Sequence, residues 1–83
     1  MDRNTQVFSL EDVFDEEIKS VISIANEALA EKGYKPVNQI VGYILSGDPT
    51  YITTHKNARN LICKIDREEL LRAVLKSYLK FCI

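Results

Sequence analysis

Tryptophan is absent from this chain of 83 residues, and histidine occurs once. There are only two cysteines, two prolines and three glycines. Each scarcity excludes a class of chemistry. Cys63 and Cys82 lie far apart with no Cys-x-x-Cys spacing, and His55 alone cannot complete a usual metal site with them. No metal and no cofactor is expected, and so sparing a use of cysteine fits a reducing, cytoplasmic compartment. Three glycines leave no phosphate-cradling loop, and there is no nucleophile elbow or His-Glu pair at metal spacing. Gly42 and Gly47 follow a helical pattern and are too sparse to hold a nucleotide. Long apolar runs are also missing, so membrane insertion is not expected. Finally, neither sign of charge dominates: 11 Lys and Arg face 12 Asp and Glu, a net charge of −1. That balance argues against a dedicated nucleic-acid binder.

What is present is unevenly placed. Residues 1–33 carry eight acidic and three basic side chains, whereas residues 34–83 carry four acidic and eight basic ones. An acidic amino-terminal third beside a basic remainder predicts attraction within the chain, between copies, or toward separate partners. Hydrophobic content of 46% is that of a folded domain. A core this small is marginal alone, so a homodimer is an early expectation.

The stretch Glu31–Tyr51 organises the chain. It holds all three glycines, both prolines and three of the four tyrosines. Gly33 reads as a helix stop followed by Tyr34, and Lys35-Pro36 as the opening of the next helix. Val37, Ile40, Val41, Ile44 and Leu45 then recur at helical spacing, predicting a buried amphipathic helix. Ser46-Gly47-Asp48-Pro49 closes it through a left-handed glycine and a proline that cannot continue. Gly42 within the helix costs about 1 kcal/mol relative to alanine. Such a cost predicts close approach by another backbone or a bulky ring. Asn38 and Gln39, at the start of this helix, read as structural polar groups or interface hydrogen bonders.

The flanks are helical too. Residues 1–14 show no helical period and read as a flexible leader, with residues 15–83 forming the folded domain. Asp15 is predicted to cap a helix whose buried side is Ile18, Val21, Ile22, Ala25, Ala28 and Leu29. Thr50–Thr54 is too short and partnerless for a strand, so a single turn packing Tyr51 and Ile52 inward is expected. Ala58, Leu61, Ile62 and Ile65 mark a further helix with Asn57 as its cap. Asp66 and Glu69 form a capping-box pattern opening the last helix. Its apolar side spans two rows, 70-74-78 and 71-75-79, one for the protomer core and one for a second copy. The predicted architecture is all-α, a compact bundle of four to five short helices.

Catalytic readings are weak. His55 beside Lys56 has no nucleophile or carboxylate placed with it by motif, so a surface or capping role is favoured over a general base. Cys63 is expected to be a buried structural cysteine rather than a reactive thiol. The bases Lys56, Arg59, Lys64, Arg67, Arg72, Lys76 and Lys80 crowd the last two helices. Among them Arg59, Lys64 and Arg67 are the candidate docking bases for an acidic protein segment. A small helical nucleic-acid-binding regulator is the alternative, against which stand the few aromatics interleaved with those bases. In the leader, Arg3-Asn4-Thr5-Gln6-Val7-Phe8 places a hydroxyl beside a base and ahead of hydrophobic anchors. A phosphate on Thr5 would move the tail, by pairing with the basic face or by repelling the nearby acids.

Several blocks together carry a family resemblance. They are Glu31-Lys32-Gly33-Tyr34, Asn38-Gln39-Ile40-Val41-Gly42-Tyr43, Leu45-Ser46-Gly47-Asp48-Pro49, Tyr51-Ile52, His55-Lys56, Ala58-Arg59-Asn60 and Lys76-Ser77-Tyr78-Leu79-Lys80. In this order they resemble the IreB family of small cytosolic regulators from Gram-positive bacteria. The resemblance implies a helical homodimer with no enzymatic activity. It implies a substrate of a membrane Ser/Thr kinase and of its partner phosphatase, acting in control of peptidoglycan synthesis and cephalosporin tolerance. In some members the route is Clp-protease degradation of a cell-wall enzyme. The family's phosphothreonine lies in a Thr-x-x-Phe-like leader, which matches Thr5 to Phe8 here.

Overall fold

The computed structural model describes the backbone of residues 10–82 and the side chains of residues 15–80. Within them the chain forms four α-helices and two 3-10 turns, with no strand among the described residues. Helix α1 spans Leu10–Glu31 and α2 spans Pro36–Ser46. Turns at Pro49–Tyr51 and His55–Asn57 lead to α3, Ala58–Cys63, and then α4, Arg67–Cys82. The all-α architecture follows the sequence expectation.

Helix α1 is the spine of the fold. Its 22 residues run about 33 Å, and α2, α3, α4 and the His55–Asn57 turn all pack against it. Ile18, Val21, Ala25, Ala28 and Leu29 bury its inner face as the spacing predicts, with Ile22 half-buried at the edge. Its start differs from the sequence reading. The helix already includes Leu10, the first described residue, so Asp15 lies inside it and caps nothing. The missed signal is in the sequence: Leu10, Val13 and Phe14 continue the i, i+3, i+4 spacing, and Glu11 and Asp12 favour a first turn. Expectations for the leader before Leu10, Thr5 included, fall outside the described residues.

The carboxyl end of α1 closes as a Schellman turn. Gly33 has φ +86°; its N–H donates to the Ala30 carbonyl at 3.0 Å, and the Tyr34 N–H donates to Leu29 at 2.9 Å. Pro36 then occupies the first turn of α2, where its missing N–H costs no hydrogen bond.

The core is completed by Tyr43, Ile52, Ala58, Ile62 and Leu70. Fully burying one such aliphatic side chain contributes about 1.5–3 kcal/mol. Helix α2 is less buried than its apolar stripe suggests. Ile40 and Ile44 pack against the core beside buried Tyr43. Val37, Val41 and Leu45 instead stand 73%, 47% and 80% exposed. The periodicity located the stripe correctly, yet a chain this short covers only the sector occupied by 40, 43 and 44.

Two other expectations are corrected on the far side. Asn57 adopts a left-handed backbone, φ 62°, and its side chain makes no capping bond. Cys63 is exposed. With Ala58 and Ile62 turned inward on α3, position 63 falls about 100° past Ile62 and away from the core. Asp66 does open α4, accepting from the Glu68 N–H at 3.4 Å. Beyond Leu70, however, both apolar rows of α4 are uncovered: Leu71, Val74, Leu75, Tyr78 and Leu79 are 39–65% exposed.

Candidate interaction surface

The residues singled out between Gly33 and Arg67 come together as one tightly tied corner. Gly42 on α2 faces the Tyr51 ring so closely that an added Cβ would lie 2.5 Å from its Cε1. The glycine is therefore explained by ring approach, as the sequence suggested. Gln39 fixes the same turn by donating from Nε2 to the Tyr51 carbonyl at 3.0 Å. Asn38 is exposed beside it.

At the other end of α2, Ser46 Oγ donates to the Gly42 carbonyl at 2.7 Å and accepts from the Asp48 N–H at 3.0 Å. Gly47 holds φ +76° and donates its N–H to Tyr43. The Asp48 carboxylate then accepts from both the Thr50 hydroxyl, 2.7 Å, and the Thr50 N–H, 3.0 Å. Those two bonds hold its pKa below the ordinary carboxylate range, the hydroxyl bond more than the backbone one. Pro49 opens the following 3-10 turn and Tyr51 ends it. Tyr34, beyond the Gly33 turn, remains half-exposed.

The three expected docking bases divide by role. Arg67 NH1 donates to the Ile44 carbonyl at 2.8 Å, and its guanidinium lies over Gly47. A cation there also opposes the negative end of the α2 dipole. Arg59 Nε donates to the Ile52 carbonyl at 2.8 Å in a half-buried setting. Lys64 is exposed and has no ion pair among the described residues. Two of the three bases thus tie backbone segments together, and only their outward surface is available to other molecules.

Other bases turn toward the acidic spine. Lys56 Nζ lies 3.0 Å from Glu31 and 3.2 Å from Glu27, and His55 Nε2 lies 2.7 Å from Glu31. The His55 contact is the main cause of a lowered Glu31 pKa, with Lys56 second. Glu31 and then Glu27 raise the pKa of Lys56 in turn. At the opposite end of α1, Lys76 pairs with Asp15 at 2.8 Å. The charge asymmetry of the sequence is thus realised partly as attraction within the chain. These contacts require no special sequence motif, and only the polarity of the two halves foretold them.

Tyr43 is a functional-looking group with a structural explanation. Burial pushes its phenol up to about 12, and the neighbouring Cys63 thiol adds to the rise. It is therefore neutral under ordinary conditions. Among the described residues no three His, Cys, Asp or Glu side chains are grouped to hold a metal ion. No described helix is long and apolar enough to cross a membrane.

Against known proteins, residues 3–80 match the profile of a family described as IreB regulatory phosphoprotein. A UPF0297 protein of Lachnoclostridium phytofermentans is 55% identical over 76 residues, covering 92% of this chain and 86% of that protein. Similar proteins bearing the same name occur in Ruminiclostridium cellulolyticum, 51% identical over 76 residues, with coverage of 92% and 86%. Another, from Acetivibrio thermocellus, is 52% identical over 79 residues, with coverage of 95% and 88%. The matched span takes in the tied corner, the acidic spine and the bases of α3 and α4, and the chain belongs to the IreB family of regulatory phosphoproteins.

Proposed function

We propose that this protein is a non-catalytic cytoplasmic regulator whose phosphorylation on Thr5 tunes contacts with other proteins. Its modifying enzymes are a membrane Ser/Thr kinase and the cognate phosphatase, and its output is control of peptidoglycan synthesis and cephalosporin tolerance. The route to that output is protein contact, with Clp-dependent turnover of a cell-wall enzyme as its end point. The observation that carries this reading is the family match, which begins at residue 3 and so includes Thr5 and Phe8. The described body supports it with accessible positive charge: the outward side of Arg67, Lys64 and half-buried Arg59 are the proposed docking bases.

The active form is a homodimer in this reading. The uncovered row Leu71, Leu75 and Leu79 of α4 is the apolar area that a second copy would remove from water. Light scattering at micromolar concentration is expected to give twice the chain mass, and a monomer would refute the dimer. For the switch, the purified protein is incubated with a matching kinase domain and the phosphate is mapped by mass spectrometry. Label on Thr5, lost in Thr5→Ala, is the expected result. Equal labelling of Thr5→Ala would remove Thr5 from its role.

A further inference from the structure

Between α1 and α4 runs an open groove of about 460 Å³. Its apolar floor is Ile18, Ile22, Ala73, Val74 and Tyr78. We propose that this groove is the seat of the chain's own leader, residues 1–9, once Thr5 is phosphorylated. The inference rests on Thr5 as the modified residue and adds where the modified segment goes.

Three observations select this occupant. The first is position, because the described lining of the groove includes Asp15, five residues along α1 from Leu10, the first described residue. The second is reach. Lys19 lies nine residues into α1 from Leu10, about 14 Å along the axis, while the five residues from Thr5 to Leu10 extend about 17 Å. Extended and folded back along α1, the leader can bring Thr5 to the level of Lys19, with Val7-Phe8 two to three residues behind it, at the Asp15 end of the groove. The third is charge. Lys76 on the rim is held by Asp15, whereas Lys19 and Lys80 have no acidic partner among the described residues. Among the described residues Glu16 is the one further acid at the rim. Asp2 and Arg3 leave the unmodified leader without an acidic surplus. A phosphate adds about two negative charges and three acceptor oxygens, which match the two lysines and can order a segment that its two apolar side chains alone hold weakly.

The test installs phosphothreonine at position 5 of the full chain by genetic encoding. Docking is then judged whether or not any kinase chooses Thr5, and failure of one idea is separable from failure of the other. Amide chemical shifts are compared between the phosphorylated and unmodified proteins, and the phosphate is titrated by its phosphorus resonance. Docking predicts shifts at Lys19, Ser23, Val74 and Ser77, and a second phosphate pKa below the value of about 6 usual for a free phosphate ester. Lys19→Gln with Lys80→Gln, both at exposed positions, is expected to return the shifts and the pKa to those of a free phosphopeptide. Shifts confined to residues 1–9, or a phosphate pKa unaffected by the lysine changes, would overturn the proposal. So would groove shifts in isotope-labelled unmodified chains mixed with unlabelled phosphorylated ones, since these would assign the groove to the leader of a second copy.

Discussion

The corner between Gly33 and Arg67 and the outer half of α4 solve the same problem in opposite ways. In the corner, elements too short to be stable alone are pinned by side chains that reach backbone groups: Gln39 to Tyr51, Arg59 to Ile52, Arg67 to Ile44 and Ser46 to Gly42. Helix α4 is long enough to need no such ties, yet past Leu70 its apolar residues have little of the chain to lie against. One region is specified from within. The other keeps its apolar side uncovered by the described residues, and the contrast separates what holds the chain together from what it leaves exposed.

The largest test of that contrast is truncation in each region. Ile62→Ala removes a fully buried side chain and is expected to cost about 2–5 kcal/mol by chemical denaturation. Leu75→Ala, 49% exposed, is expected to change the stability of a single chain by less than about 0.5 kcal/mol. Its effect should appear instead as a concentration-dependent loss of self-association. Equal losses for the two would erase the distinction.

Next in size is alkaline sensitivity. A phenol whose pKa rises to about 12 on folding keeps its proton more tightly in the native state than in the unfolded one. Its stabilisation is complete below pH 10 and disappears as the pH rises from 10 to 12, a loss of about 2–3 kcal/mol. Tyr43→Phe should flatten that part of the stability profile. An unchanged alkaline limb would show that the corner is not where the proton matters.

Gly42→Ala sets two effects against each other. Helix propensity favours alanine by about 1 kcal/mol, but the new methyl would meet the Tyr51 ring at 2.5–2.9 Å. Overpacking costs about 1–3 kcal/mol, so a net loss of about 1 kcal/mol is expected in thermal melts. In a Tyr51→Ala background the same change should become stabilising. A loss of similar size is expected in the same melts for Arg67→Ala, which strips one exposed, charge-assisted bond from the end of α2, about 1 kcal/mol.

Much of this was readable beforehand where backbone chemistry is decisive. Pro36 and Gly47 fix the limits of α2, Gly33 ends α1, and Gly42 announces an approaching ring because each acts through its own φ or missing Cβ. Burial was less readable, since it depends on what the remaining chain can cover. Val37, Val41 and Leu45 belong to a genuine helical stripe and still face outward. Residue type makes Cys63 a core candidate, although its position relative to Ala58 and Ile62 sets it at the exposed edge beside Tyr43. The roles of Arg59 and Arg67 were hidden for a different reason. A guanidinium that binds a carbonyl across the fold has no signature at short sequence range.

The acid pairs on α1 have a mechanical corollary. Asp15 and the Glu27/Glu31 couple sit at opposite ends of a single rigid rod, and each anchors a different piece of the carboxy-terminal half. Tilting that rod therefore loads both anchorages together, as a lever loads its two bearings.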